Sequence, residues 1–344
     1  MHRLQLSIVV PCYNEAETLP LLHQRVSATA HAVVGDDHEI VLINDGSRDD
    51  SWRIMQQLAA ADPRVVAINL SRNHGHQLAL TAGLDLCCGE QILILDADLQ
   101  DPPELLGEMR EVMAREEADV VYAVRRKREG ETLFKKATAS AFYRVLDRVT
   151  DTPIPLDTGD FRLMTRRALD AFLSLPEQAR FIRGMVAWVG FRQVPCPYDR
   201  AERHAGETNY PLSKMLRLAF DAVTGFSTAP LRFASHASVA LAGASLLLLF
   251  YIAWGYFRGS PVQGWTSTML VVTVLSAVQM FVLGMIGEYL GRLYIESKRR
   301  PLYLVADIAG PVRARASLGY QAVRTRVPAG EAPEDEDAPL AARR

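Results

Sequence analysis

Residues 92–103 read ILILDADLQDPP, an unbroken aliphatic run set directly against three acidic residues. A short aliphatic run closed by a polar turn marks a strand buried on both faces, and Pro102-Pro103 suit such a turn. A turn needs only one Asp or Asn, however. Asp96 and Asp98 repel each other unless a cation sits between them. On an extended segment the two carboxylates project to the same side, and Ala97 keeps the position between them small. Hard carboxylate oxygens suit Mg²⁺ or Mn²⁺, which commonly bridge protein carboxylates and the phosphates of a substrate. The stretch reads as the end of a buried strand that carries a divalent-metal site.

Working outward, residues 4–10 form a second strand-like run, ending at Pro11, and 39–45 (EIVLIND), 65–70 (VVAINL), 91–96 (QILILD) and 118–124 (ADVVYAV) continue the series. Helical patterns at 17–33 and 51–61 separate them. This alternation predicts an α/β fold, a mostly parallel sheet with helices on both faces. Ligands of such sheets bind outside the carboxyl ends of the strands. The polar clusters Pro11 to Glu15, Asp45 to Asp49 and Asp96 to Asp101 all fall there.

The turn after the first strand, PCYNEAE, has no glycine, and no phosphate-binding Gly-rich loop occurs elsewhere. A dinucleotide dehydrogenase is thereby excluded, and phosphate must be neutralised by a cation. Net charge is −2 over 344 residues, which points away from nucleic acid. Basic residues are instead clustered at 125–128, 298–300 and 312–325. The four cysteines, Cys12, Cys87, Cys88 and Cys196, show no CxxC spacing, and Cys87-Cys88 fall in an apolar stretch read as helix. A reduced, cytosolic catalytic portion is expected. The early strand at LSIVVP leaves no room for a signal peptide.

From Phe233 to Phe257 there is no Asp, Glu, Lys or Arg, and from Trp265 to Ile286 the same holds. Each run is long enough to cross about 30 Å of hydrocarbon as a helix. The link RGSPVQG is short, so the two spans form a hairpin. Lys214, Arg217 and Arg232 precede it, Arg292, Lys298, Arg299 and Arg300 come after it, and the link holds only Arg258. The positive-inside rule puts both ends of the hairpin in the cytoplasm, with the preceding domain. Glu288 lies four residues before Arg292, so an ion pair along the helix accounts for it without chemistry. The expected organisation is a catalytic domain over 1–210, juxtamembrane interfacial helices over 211–232, the hairpin over 233–293, a cytosolic segment over 294–310 and a disordered tail over 311–344.

The ordered motifs VVPCYNEAETL, NDGSRDDS, SRNHGHQLALTAGL, DADLQDPPE, DTGDFRL and RAERHAGETNYPL, with the membrane hairpin behind them, resemble glycosyltransferase family 2. Within that family they are similar to the polyprenyl-phosphate glycosyltransferases, related to dolichyl-phosphate mannose synthase and the bacterial GtrB type. The resemblance covers residues 5 to about 305. It implies a GT-A type fold and transfer of a sugar from a UDP-sugar or GDP-mannose to a polyprenyl phosphate, undecaprenyl phosphate in a bacterium. UDP-glucose leads, with GDP-mannose and a UDP-linked aminoarabinose derivative open. A homo-oligomer is also implied.

By position, Pro11, Tyr13 and Glu15 would hold the nucleoside, Asp45 the base and Arg203 the diphosphate, while Asp96, Asp98 and Gln100 would bind or position the metal. The plainer alternatives are that Asn14 or Glu15 caps the helix after it and that Asp45-Gly46-Ser47 is turn chemistry. Arg125, Arg126, Arg128 and Lys135 lie beyond a strand end and would take the acceptor phosphate, since Arg offers it bidentate hydrogen bonds. His204 is read as structural. In the family an aspartate of DTGDFRL serves as base, which would make Asp157 or Asp160 catalytic. A phosphate with a second pKa of about 6 is already largely ionised at pH 7, however, so their role stays open.

Two rivals stand against this reading. A processive polysaccharide synthase carries QxxRW, but here Gln178 is followed by ARF and Trp188 has no preceding Arg. A non-catalytic membrane scaffold would have no reason to keep the DAD triplet, Arg203 and the basic stretch.

Overall fold

The computed structural model describes residues 4–125, 158–198, 229–258 and 264–311. Its centre is an eight-stranded sheet in the order β7-β5-β6-β4-β1-β2-β3-β8. The strands are β1 (Leu6–Cys12), β2 (His38–Asn44), β3 (Val65–Leu70), β4 (Gln91–Ile94), β5 (Val120–Arg125), β6 (Thr158–Thr165), β7 (Gln193–Tyr198) and β8 (Val305–Ala309). β3, β2, β1 and β4 run parallel; β6 is antiparallel to both β4 and β5, β7 is parallel to β5, and β8 is antiparallel to β3.

The helices are α1 (Leu19–Val34), α2 (Ser51–Ala61), α3 (His76–Leu86), α4 (Leu106–Arg115), α5 (Arg166–Leu173), α6 (Ile182–Trp188), α7 (Ala229–Phe257) and α8 (Trp265–Ser297). They explain why the strands read as continuous aliphatic runs: both faces are covered. Leu6, Ile8 and Val10 of β1, with Ile40 and Leu42 of β2, pack on the side of α1 and α4. Val9, Val41 and Ile43 alternate to the other side, against α3, α5 and α6. There Gly83 lets α3 lie close, since a Cβ would fall 2.5 Å from side-chain carbons of both Ile43 and Val9.

Two local expectations need correction. The run QILILD stops being a strand at Ile94, and Asp96 to Asp98 lie in a turn rather than on an extended segment. Leu99, at φ 60°, completes that turn in the left-handed region, uncommon for a bulky residue. Cys87-Cys88 are not helical: α3 ends at Leu86, because Arg166 takes the Cys87 and Gly89 carbonyls that a further turn would leave inside the helix. Cys12, Cys87 and Cys196 are buried, and none of the four cysteines forms a disulfide. Burial pushes Cys87 up to about 12, which leaves it unreactive.

α7 and α8 have 29 and 33 residues and pack on each other. At about 1.5 Å per residue each exceeds the hydrocarbon thickness. Leu246, Leu247, Phe250, Trp254, Met280 and Phe281 are exposed, an apolar surface foreign to a water-soluble domain. Among the described residues, the stretch long and apolar enough to cross a membrane is Val274–Ser297, with a mean hydropathy of 1.5. Glu288 pairs with Arg292 at 3.2 Å, as the spacing predicts. Three strands, β6, β7 and β8, have no counterpart in the strand series read from the sequence. After α8 the chain returns to the sheet, where β8 covers the outer edge of β3, from Leu70 paired with Val305 to Ala67 paired with Ala309.

Candidate active site

Between β1 and β4 the strand order reverses, and the crevice above the carboxyl ends of such neighbours is where α/β sheets bind ligands. The loops there are fastened to one another. Asn14, at φ 56°, donates its backbone N–H to Ser47 Oγ and accepts from the Arg48 N–H. The Glu15 and Ala16 N–H groups donate to Ser51 Oγ and Asp49 Oδ2. Neither Asn14 nor Glu15 caps α1 with its side chain; Glu15 Oε2 accepts from the Thr18 hydroxyl at 2.7 Å. Pro11 is buried at the end of β1, and Tyr13 stands 43% exposed beside it.

Asp45 closes the next loop: its two oxygens accept from the His74 and Gly75 N–H groups at 2.7 and 2.9 Å. Burial raises its pKa and these bonds oppose the shift. Gly46 has φ 64°, and a Cβ there would fall 2.5 Å from the Arg72 and Asn73 backbone, so the two loops touch only because residue 46 is glycine. Asp45 thus fastens a distant loop rather than its own turn, where Asn44 Oδ1 instead accepts from the Ser47 N–H at 3.2 Å.

The acidic centre lies between β4 and β6. Ile94 pairs with Arg162 in antiparallel register, which carries Asp96 opposite Asp160 two residues further on. His76, the first residue of α3, stands between them, its Nε2 3.1 Å from Asp160 and 3.6 Å from Asp96. Arg183 of α6 grips Asp160 with Nε at 2.9 Å and Nη2 at 3.3 Å, Gln77 Nε2 donates to it at 3.4 Å, and Arg162 lies 3.9 Å away. Burial alone would raise the Asp160 pKa, but His76 and the guanidinium groups of Arg183 and Arg162 hold it far below the usual carboxylate range. Burial disfavours charged His76, yet its bond to Asp160 and the adjacent Asp96 outweigh this and raise its pKa. Burial brings Arg162 down to about 10.

Asp96 has the opposite fate. Burial pushes it up to about 6 against the pull of His76, with Asp160, Asp101 and Asp98 adding to the rise. Its Oδ1 is buried with no hydrogen-bond partner among the described residues. Asp98 Oδ1 accepts from the Gln100 N–H at 3.1 Å, which shapes the turn, and Asp101 is buried under a hydrogen bond from Tyr198. Among the described residues no three His, Cys, Asp or Glu side chains form a complete metal cage. Two carboxylates, one with an orphaned oxygen, nevertheless fit a divalent ion, because Mg²⁺ is commonly held by one or two carboxylates and completed by substrate phosphates and water.

Of the residues predicted from sequence, Pro11, Tyr13, Glu15, Asp45, Asp96, Asp98, Gln100 and Asp160 meet at this end of the sheet. Arg125 is the last residue of β5. Asp157, Arg126, Arg128, Lys135 and Arg203 lie outside the described residues. Sequence reasoning misses His76, Gln77, Arg162 and Arg183. The first three sit inside the motifs SRNHGHQLALTAGL and DTGDFRL, whereas nothing near Arg183 distinguishes it.

Residues 7–173 match the glycosyl transferase family 2 model, and residues 229–293 match a second one, the GtrB C-terminal hairpin. An uncharacterized glycosyltransferase, YkcC of Bacillus subtilis, is 48% identical over 89% of this chain and 95% of its own length. The chain belongs to glycosyltransferase family 2. A bactoprenol glucosyl transferase of Shigella phage SfV is 38% identical over 88% of this enzyme and 99% of the relative. A prophage bactoprenol glucosyl transferase homolog of Escherichia coli is 37% identical over 89% and 99%. The glycosyltransferase thus has the GT-A type sheet and, behind it, the GtrB-type hairpin.

Proposed function

We propose that this glycosyltransferase moves a sugar, glucose by preference, from a nucleotide sugar to a polyprenyl phosphate, with inversion at the anomeric carbon. The observation that carries the reading is the union in one chain of the Asp96–Asp98 turn facing Asp160 with an apolar helical hairpin. The relatives named bactoprenol glucosyl transferases, matched over nearly their whole length, favour this donor and acceptor. In this reading the catalytic domain and both termini are cytoplasmic, where nucleotide sugars are, and the hairpin presents the site to the lipid.

Pro11, Tyr13, Glu15 and Asp45 would line the nucleoside site, with Arg203 at the diphosphate. Asp96 and Asp98, with Gln100 shaping their turn, would hold Mg²⁺ or Mn²⁺, which when bound neutralises charge on the departing nucleoside diphosphate. Arg125, Arg126, Arg128 and Lys135 would take the acceptor phosphate, and Asp157 keeps an open role at the site. Asp160 is a poor base, since the guanidinium groups of Arg183 and Arg162 and the bond from His76 hold it ionised. The acceptor phosphate is itself largely ionised at pH 7. Asp160 therefore contributes by fixing His76 and Arg183 beside the reacting phosphates, and catalysis rests on positioning and charge neutralisation.

The test is an extraction assay on membranes containing the protein, with polyprenyl phosphate, Mg²⁺ or Mn²⁺, and labelled UDP-glucose, GDP-mannose and other nucleotide sugars in separate reactions. Label entering the organic phase with UDP-glucose is the expected result. Label that stays aqueous with every donor, beside an active control enzyme, would sink the reading.

A further inference from the structure

The last turn of α8 and the segment after it are each tied to the catalytic domain. Glu296 Oε1 accepts from the Gln178 backbone N–H at 2.8 Å, and Tyr303, just beyond the helix, donates to Asp85 Oδ2 at 2.7 Å. Between them lies Arg180. Its guanidinium sits over the Phe172 ring at 5.4 Å and donates from Nη2 to the Leu175 carbonyl. Its charge feels Asp85, Glu177 and Glu296 together.

Each tie leads to the acidic centre. Gln178 begins the short stretch that enters α6, where the Ile182 N–H donates to Gln77 Oε1 at 2.9 Å and Arg183 grips Asp160. Asp85 lies near the end of α3, and α3 begins with His76 and Gln77, both bonded to Asp160. A helix of 11 residues is stiff over its length of about 16 Å. Two routes therefore run from the end of the membrane helix and converge on one carboxylate.

We propose that Glu296 and Tyr303 are positioning residues, through which the membrane hairpin fixes the placement of Arg183, Gln77 and His76 around Asp160. The inference rests on the reading of that cluster as part of the transfer site. Its physical basis is that an acceptor held in a bilayer meets a site whose height and tilt are set by the hairpin. Misplacement of reacting groups by about 1 Å costs about a hundredfold in rate.

The experiment uses the full-length protein in nanodiscs with undecaprenyl phosphate, UDP-glucose and Mn²⁺. Glu296→Ala is expected to lower kcat about tenfold, with KM for UDP-glucose within about twofold of wild type. Glu296→Gln keeps an acceptor for the Gln178 N–H and should restore kcat to within about twofold. Amide hydrogen exchange over 182–188 should rise in the alanine variant and not in the glutamine one. Tyr303→Phe removes one hydroxyl and should cost about threefold, which keeps a measure in hand should Glu296→Ala unfold. Wild-type kcat in both Glu296→Ala and Tyr303→Phe overturns the inference, as does Glu296→Gln as slow as the alanine variant. Transfer by wild type and its loss in Asp98→Ala test the underlying reading separately. If wild type moves no label, that reading fails, and exchange over 182–188 alone decides the positioning role.

Discussion

The two ends of the sheet both bury polar groups, and they treat them differently. At the amino ends of the strands, Glu39 Oε1 accepts from the Ser7 hydroxyl at 2.6 Å and from the Cys88 N–H at 2.5 Å, and Ser7 in turn accepts from the Gly89 N–H. Arg166 is spent on the Cys87 and Gly89 carbonyls, and Asp62 on Arg64 and His23. These donors and acceptors find one another within the protein, with His38 Nε2, buried at the start of β2, an exception among the described residues. At the carboxyl ends, Asp96 keeps an acceptor with no donor among the described residues, Leu99 is held at positive φ, and Asp160 gathers cations. The same residue types make a fastening where their valences close and a site where one stays open.

The widest gap between the two ends should appear in Asp98→Ala. Transfer with Mg²⁺ or Mn²⁺ is expected to fall about a hundredfold to a thousandfold, while the melting temperature in detergent stays at the wild-type value. Transfer within a few-fold of wild type would make the carboxyl-end cluster another fastening. Asp160→Asn is expected to lower kcat about thirtyfold, because the charge that Arg183, Arg162 and His76 gather around is lost. Its pH profile between 6 and 8 should run parallel to that of wild type. A wild-type limb in that range that vanishes in the variant would instead make Asp160 the base.

At the amino ends the effects should be on stability alone. Glu39→Ala strands the Ser7 hydroxyl and the Cys88 N–H, at a cost of about 2 to 3 kcal/mol in denaturant unfolding, with kcat within about twofold of wild type. A loss of turnover beyond that would erase the contrast. The smallest effect belongs to Asp62. Burial would raise its pKa, but Arg64, through side chain and backbone, and His23 bring it down to about 2. A carboxylate depressed in the folded state contributes stability that is complete above its unfolded pKa, near 4, and is lost as pH falls toward 2. Asp62→Asn should therefore lose about 2 kcal/mol at pH 6 and converge with wild type near pH 2. A constant difference across that range would refute the assignment.

The part of this arrangement that is local in sequence can be read from it. Ile92 to Leu95 and Val65 to Leu70 announce strands because burial on both faces demands aliphatic residues at every position. Asp96 and Asp98 announce a site because like charges one residue apart need a partner. β6 stays hidden because DTGDFRL mixes charge into a central strand, and those charges are used by His76 and Arg183 from distant segments. The geometry of the DAD turn escapes sequence reasoning for a related reason: Leu99 takes a φ that its side chain disfavours, and only the surrounding packing of a buried leucine holds it. Arg183 carries no local signal, since its function is defined wholly by what the fold sets opposite it.

β8 has a consequence for how the protein is made. The strand that seals the outer edge of the sheet lies beyond the membrane hairpin, and Val305 comes 235 residues after Leu70. At about 5 to 20 residues per second, β3 leaves the ribosome tens of seconds before its partner exists. Through that interval β3 is an open edge, the kind of strand that recruits other chains. Sealing comes only after both long helices have been synthesised. Completion of the sheet is thus timed to come after the helical hairpin has been made, and a chain cut short after α8 would emerge with its sheet edge still adhesive.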